Sequence, residues 1–328
     1  MPPLERILLH ACCGPCSLEP VRILRSEGVE PVVFYANSNI HPAEEYAVRL
    51  ATLREWAAGA GLEVVEGVYD PEAWETTAGR IGNAAEAKFG VITNEEGDLE
   101  GDASPARAAR EARCRACYRL RFEEAARYAR EHGYSALGTT LSVSPYQYTR
   151  IIREELQHAC AREGIEARFA DYRPFYDEAT HRSRELGMYR QNYCGCRFSD
   201  AEAAAERAER KAQRAAAVNV AWRNAVEAVY KDAAQMVLDH VNAVYIMAAD
   251  EVVKGTPTRA SHAGTGAQLV VYADDSLIRS DLDARQEFLK MKLKEQGEHV
   301  ETFKILPSRF EMKARHPFRR AEEDGAVE

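Results

Sequence analysis

The apolar positions of the first half come in short runs separated by longer periodic stretches. Arg6 to His10 reads as a short buried strand, and Pro31 to Ala36 as a second. Between them, Ser17 to Glu27 carries helical spacing with Gly28 as its stop. Ala43 to Ala60 predicts a longer helix ending near Gly59 and Gly61, and Leu62 to Glu66 is again strand-like. Arg115 to His132 predicts a helix stopped by Gly133, Tyr134 to Thr140 is β-rich, and Pro145 to Glu163 is helical before the short run Ala167 to Ala170. Strands alternating with helices of this length imply βαβ units, hence an α/β fold with a mainly parallel sheet.

In such sheets the ligand site lies beyond the carboxyl ends of the strands. Cys12 and Cys13 follow the first predicted strand directly. Asn37-Ser38-Asn39-Ile40-His41-Pro42 follows the second, and Thr140-Leu141-Ser142-Val143-Ser144-Pro145 a later one. These loops are expected to share one rim. Gly79 to Ala112 interrupts the rhythm with Gly, Ala and acidic residues and reads as a surface insertion with little core of its own.

From Asp200 the character changes. Ala201 to Ala217 is nearly all Ala, Glu, Arg, Lys and Gln, a helix-forming linker, and Val218 to Val253 continues with helical periodicity. A Thr, Ser, Gly and Pro loop over Gly255 to Gly266 precedes a strand at Gln268 to Tyr272, a helix over Leu282 to Gln296 and a strand over Val300 to Leu306. The expected division is a domain over 1–200, the linker 201–217, a smaller α+β domain over 218–320 and a disordered tail over 321–328.

With 46% hydrophobic residues the 328-residue chain can bury a substantial core, and no apolar run approaches the length needed to span a bilayer. Met1 to Arg6 leads straight into Ile7-Leu8-Leu9 without the pattern of a signal peptide, so the expected location is the cytoplasm. The net charge of −9 argues against a uniformly basic surface. Its distribution adds more: Pro105 to Arg153 holds ten Arg against four acidic residues, and His181 to Arg197 holds four Arg against one Glu. Both segments flank cysteines, where local positive charge attracts a polyanion; solvated helix faces explain the same arginines equally well.

The eight cysteines are Cys12, Cys13, Cys16, Cys114, Cys117, Cys160, Cys194 and Cys196. A cytosolic chain of this size has little use for disulfide staples, so clustered thiols point to metal or redox chemistry. Gly14 and Pro15 turn the chain tightly between Cys13 and Cys16. The pair Cys114-x-x-Cys117 stands at a predicted helix start, where free N–H groups favour thiolates. In Cys194-Gly195-Cys196 a single glycine lets two sulfurs approach as ligands or as a reducible disulfide. Spacing alone leaves iron–sulfur, zinc and metal-free thiol chemistry open, although seven clustered thiols exceed the four of one tetrahedral zinc. Cys160, beside Ala159 and Ala161, reads as a core residue.

Several segments resemble the epoxyqueuosine reductase QueH family. They are Ile7 to Cys16, Asn39-Ile40-His41-Pro42 with Glu44-Glu45-Tyr46, Tyr69-Asp70-Pro71, Cys114 to Arg121, Thr139 to Tyr146 and Tyr189 to Cys196, in family order over residues 6–198. The resemblance implies a sheet of the adenine-nucleotide hydrolase-like type and reduction of the epoxide of epoxyqueuosine at the tRNA wobble position to queuosine, the last step of that synthesis. Carried over residue by residue, it implies that Cys12, Cys13, Cys114 and Cys117 ligate a [4Fe–4S] cluster and that Cys194 and Cys196 form a redox-active pair. Cys16 is left as a ligand for a second metal, an additional mononuclear iron. The implied partners are tRNA carrying epoxyqueuosine and an external electron donor.

Tyr189, Tyr193 and His10 are candidate proton donors, and Arg115, Arg119, Arg121 and Arg190 candidate phosphate contacts. The spacing from Cys13 to Cys114 exceeds the usual family spacing, which the 79–112 stretch would absorb. The C-terminal domain lies outside the family pattern and weakly resembles the KH-like domain of the DciA family; its expected role is binding nucleic acid or a protein. The alternative reading of the whole is a zinc-stabilised tRNA- or nucleotide-binding module without catalysis. An adenine-nucleotide-dependent thiolation enzyme is disfavoured, because the position of its phosphate loop reads Ala11-Cys12-Cys13-Gly14-Pro15-Cys16-Ser17.

Overall fold

A computed structural model describes residues 5–93, 104–247 and 267–319. The chain divides by its contacts into two compact units, the first ending at Arg207 and the second beginning at Ala208.

The first unit is built on five parallel strands: β1 (Glu5–His10), β2 (Val29–Tyr35), β3 (Val64–Glu66), β4 (Ala136–Thr139) and β5 (Glu166–Ala167). Their order across the sheet is β3-β2-β1-β4-β5. The strands read as unbroken apolar runs because helices cover both faces. Leu8, Val32, Phe34 and Leu137 point to one side, against Phe122, Ile152 and Leu156 of α5 (Pro105–Glu131) and α6 (Thr149–Glu163). Ile7, Leu9 and Ala136 point to the other, against Val21 and Leu24 of α1 (Gly14–Ser26), while Val33 and Tyr35 meet Leu50 and Leu53 of α2 (Ala43–Gly59). Each fully buried Leu or Ile contributes roughly 1.5–3 kcal/mol to this packing. The sheet order reverses between β1 and β4, and the crevice beyond their carboxyl ends is where an α/β sheet of this kind binds ligands.

Of the stretch 79–112 read as a surface insertion, residues 94–103 lie outside the described residues, while the flanking parts are helical and packed. After α3 (Pro71–Trp74) a π-helical turn over Glu75–Gly79 leads into α4 (Arg80–Phe89), whose Gly82 and Ala85 are buried. A Cβ at Gly82 would fall 2.3 Å from the Phe198 ring, so α4 is closely packed there. Residues 105–112 are the first turns of α5, capped by the Ser104 hydroxyl on the Arg107 amide at 3.2 Å. The expectation of a helix start at Arg115 is therefore corrected by ten residues. The Ala- and Arg-rich sequence ahead of it has no apolar stripe to reveal it, and its buried positions are arginines. In consequence Cys114 and Cys117 lie about two and a half turns inside the helix, beyond reach of the N-terminal dipole.

Past α7 (Tyr176–Glu185), the second unit begins within α8 (Arg197–Tyr230), whose residues 208–217 are wholly exposed and rest on helix propensity. The predicted helix over 218–253 breaks at Lys231, the one described non-glycine residue with positive φ, at 52°. After α9 (Ala234–Asp239) the chain becomes β6 (Val241–Met247), where β-branched and aromatic residues gain more by pairing than by coiling. The strand β7 (Gln268–Ala273) runs antiparallel to β6 and parallel to β8 (Thr302–Pro307). The single helix expected over 282–296 is two, Ser276–Ala284 and Gln286–Glu295. The Asp275 carboxylate caps the first, accepting from the Leu277 and Ile278 amides at 2.8 and 3.0 Å. Trp222 stands fully buried among Ala225, Val226, Leu269, Val271, Leu289 and Leu293. The loop read over 255–266 and the tail over 321–328 lie outside the described residues. No described helix is long and apolar enough to cross a membrane.

Replacing Trp222 by Ala removes the largest side chain of this core and is expected to cost roughly 3–5 kcal/mol. Urea unfolding followed by circular dichroism would show it; a cost below about 1 kcal/mol would mean that this core does not depend on the indole.

Candidate metal centre

Between the end of β1 and the start of α1 the chain places three thiols side by side. Cys13 is the extended residue preceding α1, Pro15 starts the helix without forfeiting a needed N–H, and Cys16 lies in its first turn. The sulfurs of Cys12, Cys13 and Cys16 all lie within 4.8 Å of one another, and no other metal-ligand group of three or more draws that close among the described residues. The Cys12 and Cys13 sulfurs are 3.8 Å apart, and the Gln191 amide donates to the Cys13 sulfur at 2.9 Å. Hydrogen bonds from Cys12 and Cys16, opposed by burial and reinforced by the Cys16 amide and Gln191, hold the Cys13 thiol well below its ordinary range. Its partners move the opposite way: the bond to Cys13 pushes Cys12 up to about 11, and the bonds to Cys12 and Cys13 raise Cys16. A trio of soft donors, Cys13 buried and Cys12 and Cys16 half-buried, that concentrates negative charge on one sulfur suits a thiophilic metal.

Four more thiols share this edge. Cys117 and Cys196 pack with Trp74, Ala78 and Phe198, while Cys12 and Cys114 lie against the same apolar cluster below the sheet. Burial pushes Cys114 up to about 11 and Cys117 to about 12, with Arg113 and Arg121 respectively opposing the rise and Cys194 and Cys196 adding to it. The Cys194 thiol is raised first by burial, then by Cys196, and it senses Cys12 as well. The helix-terminus expectation for Cys114 and Cys117 thus gives way to its opposite: burial disfavours their thiolates. All eight cysteines are free thiols, Cys194 and Cys196 included. Cys160 lies in the core against α5, and burial alone pushes it up to about 12.

Buried arginines organise the surroundings. Arg49, 1% exposed, donates to the carbonyls of Cys194 and Tyr193 at 2.9 and 3.3 Å and pairs with Glu45 at 2.7 Å. The Tyr193 hydroxyl donates to the His41 carbonyl at 2.8 Å, and the His41 amide to the Gly195 carbonyl at 2.9 Å. Gly195 has φ +130°, and a Cβ there would lie 2.9 Å from Ile40 Cγ1 and 3.1 Å from Arg49 Nη1. On the other flank Arg113 grips Glu202 with two bonds of 2.7 and 2.9 Å, Arg110 adds a third at 3.1 Å, and Arg113 Nη2 stands 3.9 Å from the Cys114 sulfur. Beneath the triad, His10 is fully buried and both ring nitrogens are engaged, by Thr139 Oγ1 at 3.1 Å and the Ala36 carbonyl at 3.2 Å. Burial, aided by the Arg121 charge, pushes its imidazole down to about 3.

The other proposed side chains sort differently. Arg121 is 1% exposed and donates to Asn37 Oδ1 and the Ala36 carbonyl; Arg115 pairs with Glu154 and Glu155, and Arg119 with Glu155. Of the four candidate phosphate contacts only Arg190 stands exposed without one of these pairings. Tyr189 donates to Glu45 at 2.6 Å. Arg49, Arg110, Arg113 and Glu202 were not among the sequence candidates. A signal existed: Arg49 shares the buried stripe of α2 with Tyr46, Leu50 and Leu53, and Arg110 and Arg113 share that of α5 with Cys117.

The family model described as epoxyqueuosine reductase QueH matches residues 7–89 and 100–202. Residues 90–99, between the two matched segments, fall in the long Cys13-to-Cys114 spacing. The chain is 29% identical over 197 residues to a protein named epoxyqueuosine reductase QueH from Dehalococcoides mccartyi, covering 60% of this chain and 93% of that one. It is 30% identical over 205 residues to one of the same name from Thermotoga maritima, covering 62% and 94%. A third so named, from Haemophilus influenzae, is 28% identical over 199 residues, covering 60% and 71%.

Glu202→Ala would leave Arg110 and Arg113 buried with one counter-charge removed, and is expected to destabilise the first unit by roughly 3–5 kcal/mol. Denaturant unfolding measures this; a loss within about 0.5 kcal/mol would contradict the role given to the carboxylate. Gly195→Ala forces a strained φ against Ile40 and is expected to cost about 1–3 kcal/mol and to speed alkylation of Cys194. Unchanged alkylation kinetics would show that the loop has slack.

Proposed function

As the chain belongs to the epoxyqueuosine reductase QueH family, we propose that its clustered thiols carry the reduction of the epoxide of epoxyqueuosine at the wobble position of tRNA. The enzyme is an oxidoreductase of queuosine biosynthesis, and its product is queuosine. The observation that carries the assignment of the site is the gathering of seven thiols at the carboxyl edge of β1, three of them within 4.8 Å of one another.

The donor chemistry fits an iron–sulfur group. The ligands are soft thiols, buried or half-buried, and three polar atoms around them are buried without a partner: Asn39 Oδ1, Gln191 Oε1 and Arg121 Nη1. On this reading Cys12, Cys13, Cys114 and Cys117 would hold a [4Fe–4S] cluster and Cys16 a second metal, supplying single-electron transfer and a Lewis acid for the epoxide oxygen. The residues of the chain do the remainder. Removing the oxygen as water consumes two electrons and two protons. Oxidation of the Cys194 and Cys196 dithiol to a disulfide releases the same number, and an external electron donor returns the pair to thiols. On this reading the single intervening Gly195 would let the two sulfurs approach each other, and Arg49 holds the backbone carbonyls of Tyr193 and Cys194. His10 orients the strand ends through Thr139 and Ala36, and the Tyr193 and Tyr189 hydroxyls would serve as proton donors by exchanging their bonds to the His41 carbonyl and Glu45.

A second reading, a zinc-stabilised module, draws on one distance. Two thiolates on a tetrahedral ion with bonds of about 2.3 Å lie roughly 3.8 Å apart, which is the Cys12–Cys13 separation. It leaves the buried pair on α5 without a role.

Protein purified without oxygen is expected to hold about four irons and four sulfides per chain, with broad visible absorption that dithionite bleaches. Cys114→Ser should lose that absorption. Cys194→Ser should keep it while turnover of epoxyqueuosine-containing tRNA falls by orders of magnitude. Colourless protein that retains only zinc after reconstitution would sink the assignment.

A further inference from the structure

The second unit has its helices on one face of its sheet. Trp222, Val237, Ile278, Leu282, Leu289 and Leu293 all join the core cluster that includes Val244, Leu269, Val271 and Ala273, with Phe303 and Ile305 packed against it. Alternation along the strands turns the remaining side chains to the other face. The register sets Tyr245 opposite Val270 and Lys304, and Ala243 opposite Tyr272 and Leu306. The helix side chains named above belong to the opposite face, and on this one Val270 is buried while Tyr245 and Lys304 are exposed.

Its chemistry is aromatic and cationic. The rings of Tyr245 and Tyr272 meet edge to face at 6.3 Å and 81°, Tyr245 is 43% exposed, and the Arg309 guanidinium lies over the Tyr272 ring at 5.9 Å. Lys304 and Arg309 are exposed and form no ion pair among the described residues. Residues 302–319 carry Lys304, Arg309, Lys313, Arg315 and Arg319 against Glu311 alone, in a chain whose net charge is −9. Beside Arg309, Phe310 is 91% exposed.

We propose that this sheet face binds unpaired nucleotides of the substrate tRNA, stacking bases on Tyr245 and Tyr272 while Lys304 and Arg309 pair with phosphates. The identity of the RNA rests on the reductase reading; the stacking surface rests on the geometry. Flat aromatic faces between cations recognise bases that are free to splay out, and a paired duplex hides those bases. Relatives matched over 93–94% of their own length by about 60% of this chain have no room for such a unit. The second unit is therefore an added grip on the RNA beside chemistry that the first unit carries.

The test measures binding of the full chain to unmodified substrate tRNA by fluorescence anisotropy, which requires no epoxide and no turnover. Tyr245→Ala and Tyr272→Ala are each expected to weaken binding by at least about fivefold, while Tyr245→Phe and Tyr272→Phe bind like the parent. Lys304→Gln and Arg309→Gln should each flatten the slope of log affinity against log salt by about 0.7. An unpaired oligoribonucleotide should compete, and a blunt RNA duplex should not. Alanine variants that bind as the parent, a duplex competing equally well, or a single-stranded DNA displacing the tRNA more readily than RNA would overturn the proposal. Failure of the reductase reading would leave these binding results intact, because they are read without reduction.

Discussion

Burying thiols is costly only when they ionise, and this structure gathers seven of them, buried or half-buried, at one sheet edge. A thiolate withdrawn from water must be compensated by nearby positive charge or by a metal. The fold supplies the first through Arg49, Arg113 and Arg121, each nearly inaccessible to solvent. Arginine suits this because its guanidinium stays charged when buried. Each guanidinium then needs its own partners, which is why Glu45, Glu202 and Asn37 stand where they do. The architecture around the thiols is largely the solution to this one electrostatic problem. The parallel sheet contributes the place: the crevice between β1 and β4, where strand ends and loops converge.

Much of the first unit was legible because its determinants are local. Ile7-Leu8-Leu9 is an unbroken apolar run, and such a run beside turn residues can only be a strand covered on both faces. Gly28 and Gly133, at φ +80° and +73°, follow the ends of α1 and α5 where the spacing set the stops, whereas Gly14-Pro15, read as a turn, already belong to α1. Cysteine spacing pointed to Cys12, Cys13 and Cys16, whose sulfurs do converge, because closely spaced thiols suit metal or redox chemistry. What the residues hid is equally physical. The N-terminal half of α5 buries arginines in place of leucines, so a hydrophobic pattern passes over it. The partnership of Arg113 with Glu202 spans 89 residues and depends on the fold being present. In the second unit Val241 to Met247 continues a helical period, yet pairing with β7 makes it a strand; tertiary context overrode propensity there.

The two units differ in what their chemistry requires. The first needs a dry edge and pays for it with buried charge. Among the described residues the second carries Tyr245, Tyr272, Lys304 and Arg309 on the sheet face turned away from its helices, an arrangement that suits recognition. Residues 208–217 stay helical through composition, exposed along their whole length.

The hold of Arg49 on the carbonyls of Tyr193 and Cys194 has a further consequence. Together with the His41–Gly195 bond, it ties the backbone of the Cys194-Gly195-Cys196 segment to α2 and to the loop after β2. Were the pair to cycle as proposed, a change in sulfur bonding there would be taken up by side-chain torsions while the peptide groups keep their partners. In the language of electron transfer, the nuclei would travel little between the two forms, and the reorganisation energy contributed by the protein would be small.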